Sequence, residues 1–401
     1  MSPSFGKSVL ISGIGIAGAT LAYWLHQYGF RPTLIERAPR LRDGGYIIDF
    51  WGRGYDIAEQ MGLLPALQAE GYVVRELRIV DGAGRRVGGF GVDVFRELTG
   101  GRYLSIPRSG LAKLIYRTIE NDVETIFGDS ITRIVHDDDD EVHVEFEHAP
   151  ARRFDIVVGA DGLHSGVRRL VFGEQNQFEK FLGYTVCAFE VDGYQNRDDG
   201  VYVSYGAPGR QAARFAMRNG RTLFLLVFAS GRLPRIEERI AQQEVLKATF
   251  GDAGWECSKI LAAMQNAPDI YLDSVSQIRM EEWWRGRVVL IGDAAACPSL
   301  LAGQGSALAM MAAYILAGEL SRAPAPEIAF RRYQELLWPF LTAKQKAAER
   351  FAGSFAPRTR FGLFLRNQIT KTFAIPYLGT LALGPVVRDR MDLPDYRTAG
   401  R

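Results

Sequence analysis

Three groups of residues in this chain are spaced to hold a phosphorylated ligand. Gly13, Gly15 and Gly18 give the pattern G-x-G-x-x-G, with Ile16 and Ala17 between the second and third glycines. In that spacing the first glycine permits a tight turn, the second lets backbone approach a pyrophosphate, and the third lets a helix pack closely on a strand. Glu36 stands close to the ~20-residue offset at which an acid accepts hydrogen bonds from a ribose diol. Far downstream, Gly292-Asp293 precedes Gly303-Gln304-Gly305. The carboxylate would accept hydrogen bonds from a polyol, and the second glycine turn opens a helix whose N-terminus carries partial positive charge. Between the two lies Asp161-Gly162, at the end of another apolar run.

The elements needed to present these residues are legible around them. Residues 8–11, 155–160 and 288–291 are short, apolar and rich in β-branched residues, as buried parallel strands require. Residues 17–28 read as a helix with small residues toward a sheet, closed by Gly29, and residues 32–35 return as a strand ending at Glu36. Strand, glycine turn, helix, second strand and acid together predict a dinucleotide-binding unit, with the phosphates at the helix N-terminus. Lys7 followed by the apolar residues 8–25 also invites a signal peptide or a membrane span, but three glycines in register and a polar end at Gln27-Tyr28-Gly29 fit the βαβ unit better. Residues 306–320 predict an apolar, alanine-rich helix.

A length of 401 residues suggests two closely associated domains. Hydrophobic residues at 47% and charged residues at 23% describe a soluble globular protein. The near balance of 48 Lys and Arg against 46 Asp and Glu gives no electrostatic footprint for nucleic acid or an anionic membrane. Cys187, Cys257 and Cys297 show no metal spacing and read as buried thiols in a reducing compartment, so the cytoplasm is the expected location.

The rest of the chain fills in the architecture. Residues 46–50 predict a strand and 56–61 a helix, with Gly52-Arg53-Gly54 between them as either a surface turn or a ligand contact. Residues 75–95 predict strand, turn, strand, and Arg108 stands just before an amphipathic helix, where a guanidinium can reach an anion. Residues 130–136 and 141–147 predict a hairpin around four consecutive aspartates, which read as a solvated turn rather than a metal site. His164 could serve as a catalytic base, but a single loop histidine with no visible partner in the sequence reads as structural. Residues 178–229 alternate in short runs, with Asn219-Gly220 as a hairpin turn, and predict an inserted antiparallel sheet. Its Phe189, Phe215, Met217 and Phe224 are candidates, with Leu300, for one wall of a ligand pocket, although core packing explains most such residues. Helices are expected at 237–250 and 258–265, and the region from 327 onward is mostly helical and basic. Residues 361–383 are moderately apolar but interrupted by Arg366, Lys371 and Pro376, so packing across the sheet domain, or at most a peripheral apolar contact, is expected rather than stable membrane insertion.

Taken together, the Gly13–Gly18 turn with Glu36, Asp161-Gly162 and Gly292-Asp293 resemble the class A FAD-dependent aromatic hydroxylases, which have the para-hydroxybenzoate hydroxylase fold. Within that class the chain is most similar to the tetracycline-inactivating and polyketide-modifying monooxygenases, through residues 44–49 and 106–121. The resemblance implies an α/β fold: a Rossmann-like FAD-binding domain with an inserted antiparallel β-sheet substrate domain and C-terminal helices. The corresponding boundaries are 1–75, 106–177 and 278–325 for the FAD domain, 76–105 and 178–277 for the substrate domain, and 326–401 for the C-terminal helices. It further implies that Gly13, Gly15, Ile16, Ala17 and Gly18 cradle the FAD pyrophosphate, that Glu36 holds the adenosine ribose, and that Arg37 and Arg108 contact the cofactor. Asp161 and Gly162 match a motif tied to both FAD and NAD(P)H. Gly292 and Asp293 match the segment that holds the ribityl and pyrophosphate region, and Gly303, Gln304 and Gly305 would run beside the flavin ring.

The implied activity is NAD(P)H- and O2-dependent hydroxylation of an aromatic, polycyclic or polyketide-like small molecule through a C4a-hydroperoxyflavin, with no protein nucleophile and no metal. Where the family usually has a histidine, a proline and an asparagine after its Gly-Asp, this chain has Ala296, Leu300 and Ala307. Those departures keep a second enzyme reading open, an oxidase or dehydrogenase of the same fold without hydroxylation. No W-x-W-x-I-P segment supports a halogenase, and a flavin carrier would not require so aromatic an inserted sheet.

Overall fold

Parallel pairing of the continuously apolar strands creates the edge on which the ligand-binding turns sit. The computed structural model describes residues 6–41, 46–136, 141–195, 198–234, 236–373 and 391–396. Its six-stranded sheet has the order Trp284–Arg285, Val288–Leu290, Ile156–Gly159, Ser8–Ser12, Arg31–Glu36, Glu124–Phe127. Every pairing is parallel except that of the outermost Trp284–Arg285. Strands covered on both faces must be apolar throughout, and Val9, Leu10, Ile11, Val157, Val158, Val289 and Leu290 are fully buried. The Asp155 carboxylate fixes the register of the two central strands by accepting from the Ser8 N–H and hydroxyl at 2.7 and 2.8 Å. Adjacent parallel strands end on one side, so Gly292, Ala160, Gly13 and Glu36 follow one another along one sheet edge.

Two helices lie together behind that edge, Ile16–Gln27 and Gly305–Arg322, with Trp24 packed edge-on against Tyr314 at 5.0 Å. Close packing of the turns at this edge depends on missing side chains. A Cβ on Gly18 would lie 2.0 Å from the Gly13 carbonyl oxygen, and one on Gly292 would lie 3.1 Å from the Ala17 Cβ.

The second sheet has seven strands in the order Ile270–Ile278, Glu179–Asp192, Arg221–Ala229, Arg210–Ala216, Val201–Ala207, Glu76–Val80, Arg86–Gly91. All pairs are antiparallel except Val201–Ala207 with Glu76–Val80. Asn219 and Gly220 both adopt positive φ, 58° and 74°, in the expected hairpin turn. Period-two alternation splits the sheet's side chains between two cores. Phe189, Phe224, Leu226 and Phe228 face the helices Arg239–Phe250 and Cys257–Ala263, whereas Phe215, Met217, Leu223 and Val227 face the opposite way.

Some local expectations shift. Phe95 lies in a helix, Asp93–Leu98, rather than at the end of a strand. The aspartate turn at 137–140 lies outside the described residues, while its flanking strands Ile131–His136 and Val142–Phe146 pair antiparallel. Ile47–Trp51 pairs antiparallel with Tyr103–Pro107 in a separate ribbon.

The helix Pro326–Phe355 straps the two sheets together. Its Tyr333 hydroxyl donates to the Leu290 carbonyl at 3.2 Å, and its Gln345 amide donates to the carbonyls of Ile278 and Cys297 at 2.7 and 3.1 Å. Further on, Tyr396 stacks where Gly318 leaves room and donates to Glu319 at 2.6 Å. Among the described residues, no helix is long and apolar enough to cross a membrane.

The Gly18 contact is with backbone and cannot relax by a rotamer change. Gly18→Ala is therefore expected to destabilise the chain by about 1–3 kcal/mol, measured as a fall in Tm. An unchanged Tm would contradict the tight helix–strand approach.

Candidate functional site

The glycines of the predicted turns divide into two kinds. Gly13, Gly18 and Gly292 are closed in by neighbours, as described above. Gly15, Gly162 and Gly303 face open space, with nothing within 4 Å of where a Cβ would be, and near Gly305 there is only an Asp293 carboxylate oxygen at 4.0 Å. The closed set holds three loops together, and the open set lines a groove running along the carboxyl edge of the parallel sheet.

Both helix N-termini at this groove lack a capping side chain. Neither Gly15 before Ile16–Gln27 nor Gln304 before Gly305–Arg322 supplies a side-chain cap, and neither helix has an acid in its first turn. Uncapped N–H groups and the positive ends of two helix dipoles make both places suited to an anion or an electron-rich ring. The side chains of Ile16 and Ala17 point into the core, so what these residues offer the groove is backbone N–H. At the far end the Glu36 carboxylate accepts from the N–H groups of Ile14 at 3.1 Å and Ala38 at 3.0 Å, with Arg37 exposed beside it.

The middle of the groove carries the charged groups. Burial, opposed by Arg108 and by a hydrogen bond from the Cys297 thiol, holds the Asp293 carboxyl above its ordinary value. Burial also pushes the Cys297 thiol well above its usual range. Arg108 begins the helix Arg108–Arg117 and is exposed within the groove, where Tyr46 foremost, with Asp293 and Tyr271, stabilises its positive charge. The rings of Tyr46 and Tyr271 are 6.1 Å apart, and burial pushes the Tyr46 hydroxyl up to about 12.

Several side chains have different jobs from those expected. The Asp161 carboxylate caps the short helix Gly166–Val171, accepting from the Ser165 hydroxyl at 2.5 Å and from the N–H groups of Gly166 and Val167 at 2.8 and 3.1 Å, so at this loop the open groove is met by Gly162. His164 does have partners: its Nε2 lies 2.9 Å from Asp273 and its Nδ1 3.1 Å from the Gln175 side-chain oxygen, which joins the loop after Asp161 to the second sheet. Arg53 pairs with Asp56 and Asp392 at 3.1 and 2.9 Å. Phe189 and Phe224, expected in a pocket wall, are sealed beneath the helices on the outer face of the seven-stranded sheet. Phe215 and Met217 do lie on the inner face, yet are packed with Val74, Val92 and Leu223 at 1% and 2% exposure. Leu300 packs against the cluster of Tyr184, Val186 and Val227.

Of the three departures from the family pattern, Ala296 is buried in the main core. Ala307 meets Gly54 so closely that a Cβ there would lie 2.6 Å from the Ala307 Cα. Small residues on both sides explain why nothing larger stands at 307. Ala307, Gly303, Gln304, Asp49 and Trp51 line a cleft beside the Gly305 helix start.

Asp49 was missed as a functional candidate in its own right. Its Oδ1 accepts from the hydroxyls of Tyr103 and Ser105, both at 2.6 Å, and the half-buried Tyr202 lies in range of its charge. The available signal was a lone carboxylate inside the strand sequence Ile47-Ile48-Asp49-Phe50-Trp51, whose partner strand lies more than fifty residues away.

The chain has relatives among known proteins. A family profile described as FAD binding domain matches residues 7–325. An uncharacterised protein of Mycobacterium tuberculosis is 41% identical over 79% of this chain and 86% of its own length. A flavin-dependent monooxygenase from an unknown prokaryotic organism is 36% identical over 84% of this chain and 88% of its own. Among solved structures, the tetracycline destructase Tet(55) superposes with a TM-score of 0.83 at 32% identity, covering 99% of this chain and all of that one.

The groove fits FAD: open backbone at Gly15, Gly162, Gly303 and Gly305, two uncapped helix N-termini, and a carboxylate at each end of the intervening span. The raised value of Asp293 means that its charge destabilises the ligand-free fold as pH rises from the ordinary Asp range through the raised value, and costs nothing below that range. Asp293→Asn is expected to raise the Tm of the ligand-free protein at neutral pH, with the gain vanishing in acid, while weakening FAD by roughly 1.5–3 kcal/mol. Thermal melts across pH, with a flavin titration, check both signs. Unchanged FAD affinity would remove Asp293 from the site.

Proposed function

Because this chain belongs to the FAD binding domain family and is a flavin-dependent monooxygenase, we propose that it uses NAD(P)H and O2 to hydroxylate an aromatic or polycyclic small molecule at the Gly305 end of the groove. FAD, when bound, supplies the redox chemistry that activates oxygen once NAD(P)H has reduced it. The observation that carries the reading is the placement of Asp49 with Tyr103 and Ser105 beside Gly303, Gln304 and Ala307, at the start of the Gly305–Arg322 helix.

The chain's own residues divide the work. Gly13 to Gly18, Glu36 and Arg37 bind the ADP half of the cofactor, and Gly162, Gly292, Asp293 and Arg108 hold its middle. The N-terminus of the Gly305–Arg322 helix would hold the flavin ring, and its partial positive charge would favour an electron-rich group there. Asp49, held by two hydroxyls on one oxygen, orients a hydrogen-bond donor of the substrate with its other oxygen. Trp51, Phe50 and Leu308 are buried beside Asp49 and give this end an apolar wall. Tyr103 keeps its proton, because burial first and Asp49 second raise it well above the ordinary value. It therefore serves as a donor that fixes Asp49, not as a base.

The tetracycline destructase likeness favours a fused-ring substrate, and the three buried free thiols support a reducing compartment such as the cytoplasm. In a panel of phenols and fused-ring aromatics, the true substrate should accelerate NAD(P)H oxidation and carry one oxygen-18 atom from labelled O2 into product. Label-free product would sink the hydroxylation reading in favour of an oxidase. With that substrate, Asp49→Asn should leave FAD content unchanged and lower kcat/KM about ten-fold, the effect of roughly one charged hydrogen bond.

A further inference from the structure

The helix Arg360–Thr372 sits on the second sheet the wrong way round for a helix of a water-soluble protein. At ~100° per residue, Phe361, Phe364, Leu365 and Ile369 fall within roughly 140° of one face. All four point outward, with exposures of 74%, 58%, 47% and 46%. The opposite face, which meets the sheet, is made of Leu363, Arg366, Asn367 and Thr370. A Cβ on Gly88 would lie 2.9 Å from the Thr370 hydroxyl, and one on Gly206 would lie 2.7 Å from the Arg366 guanidinium. Arg366 folds back to donate to the Phe355 carbonyl at 3.0 Å. A surface helix ordinarily turns its apolar stripe to the core, and here the stripe faces out. Four of the ten exposed large apolar side chains among the described residues lie on this one helix, and such clustering marks a binding face.

The charge around the patch indicates what covers it. Residues 350–388 contain no Asp or Glu, but contain Arg350, Arg358, Arg360, Arg366, Lys371 and Arg388. Arg360 and Lys371, both exposed, lie on the same flank of the apolar face, and Arg86 lies against the helix in the same concavity. Outward aromatic and aliphatic side chains bordered by cations, with no acid along the segment, form the pattern that seats a helix in the headgroup layer of an anionic bilayer.

We infer that the Arg360–Thr372 helix docks this enzyme, peripherally and reversibly, on the surface of a membrane containing anionic lipid. The helix lies flat, Phe361, Phe364, Leu365 and Ile369 enter the headgroup–acyl boundary, and Arg360 and Lys371 contact lipid phosphates. The protein stays outside the hydrocarbon core, in keeping with the lack of a spanning helix among the described residues. This assignment is independent of the substrate and of the hydroxylation reading.

The test is co-sedimentation of the FAD-loaded full chain with two kinds of vesicle, phosphatidylcholine alone and phosphatidylcholine mixed equally with phosphatidylglycerol. The wild-type chain should pellet with the mixed vesicles, be released by high salt, and stay in solution with phosphatidylcholine. Phe361→Glu/Phe364→Glu should lose roughly ten-fold or more in binding while keeping its flavin absorbance and Tm, because neither side chain is packed in the fold. Arg360→Gln/Lys371→Gln should weaken binding and flatten its salt dependence. Failure to pellet with either vesicle overturns the inference, as does binding that the double Phe variant retains or equal binding to both vesicles. A mass that doubles with concentration and is returned to monomer by Phe361→Glu/Phe364→Glu, without vesicle binding, would assign the face to a second copy of the chain instead.

Discussion

The fold turns on the contact between the Gly18 backbone and the Gly13 carbonyl. The absence of a side chain there lets the first helix lie close against the first strand, which fixes the helix N-terminus at the sheet edge rather than beside it. Gly292 extends the same close packing, by its contact with Ala17, to the loop after Val288–Leu290, so that the second helix start and Asp293 are drawn to the same edge. Two loops distant in sequence are thereby held in register by backbone packing, and their uncapped N–H groups are left for a ligand.

The electrostatics of the groove are a balance and not a simple excess of one sign. Asp293 is held partly out of water beside Arg108 and takes a hydrogen bond from Cys297, so its charge is kept at some cost to the ligand-free fold. A buried carboxylate kept where it weakens the chain is a common mark of a functional position. The Pro326–Phe355 helix stiffens the arrangement from behind. Through Gln345 and Tyr333 it hydrogen-bonds the backbone of the strand carrying Leu290, the strand carrying Ile278 and the loop carrying Cys297, so the groove and the inserted sheet share one support.

Much of the fold was legible in the sequence because its signals are short-range. The βαβ unit, the Gly-Asp turn, the alanine-rich helix and the Asn219-Gly220 hairpin each lie within about thirty residues, where spacing alone carries the physics. What was not legible depended on partners far along the chain. Phe189 and Phe224 are apolar strand residues like Leu223 and Val227, and only the position of the covering helices decides which parity faces the groove. Asp161 resembles a ligand-facing acid until the helix it caps is placed five residues on. Asp49 is one carboxylate in an apolar strand, and its meaning comes from Tyr103 and Ser105 on a partner strand that local periodicity does not identify.

On the reading proposed here, one FAD would span three loops that meet only in the folded chain. A crystal structure of the protein with FAD tests this most directly. It should show the ribose at Glu36, the pyrophosphate on the N–H groups of the Ile16–Gln27 helix, and the flavin ring along Gly303 to Gly305 beside Asp49. Density with the pyrophosphate away from Gly15, or with the ring outside the Gly303–Gly305 turn, would contradict it.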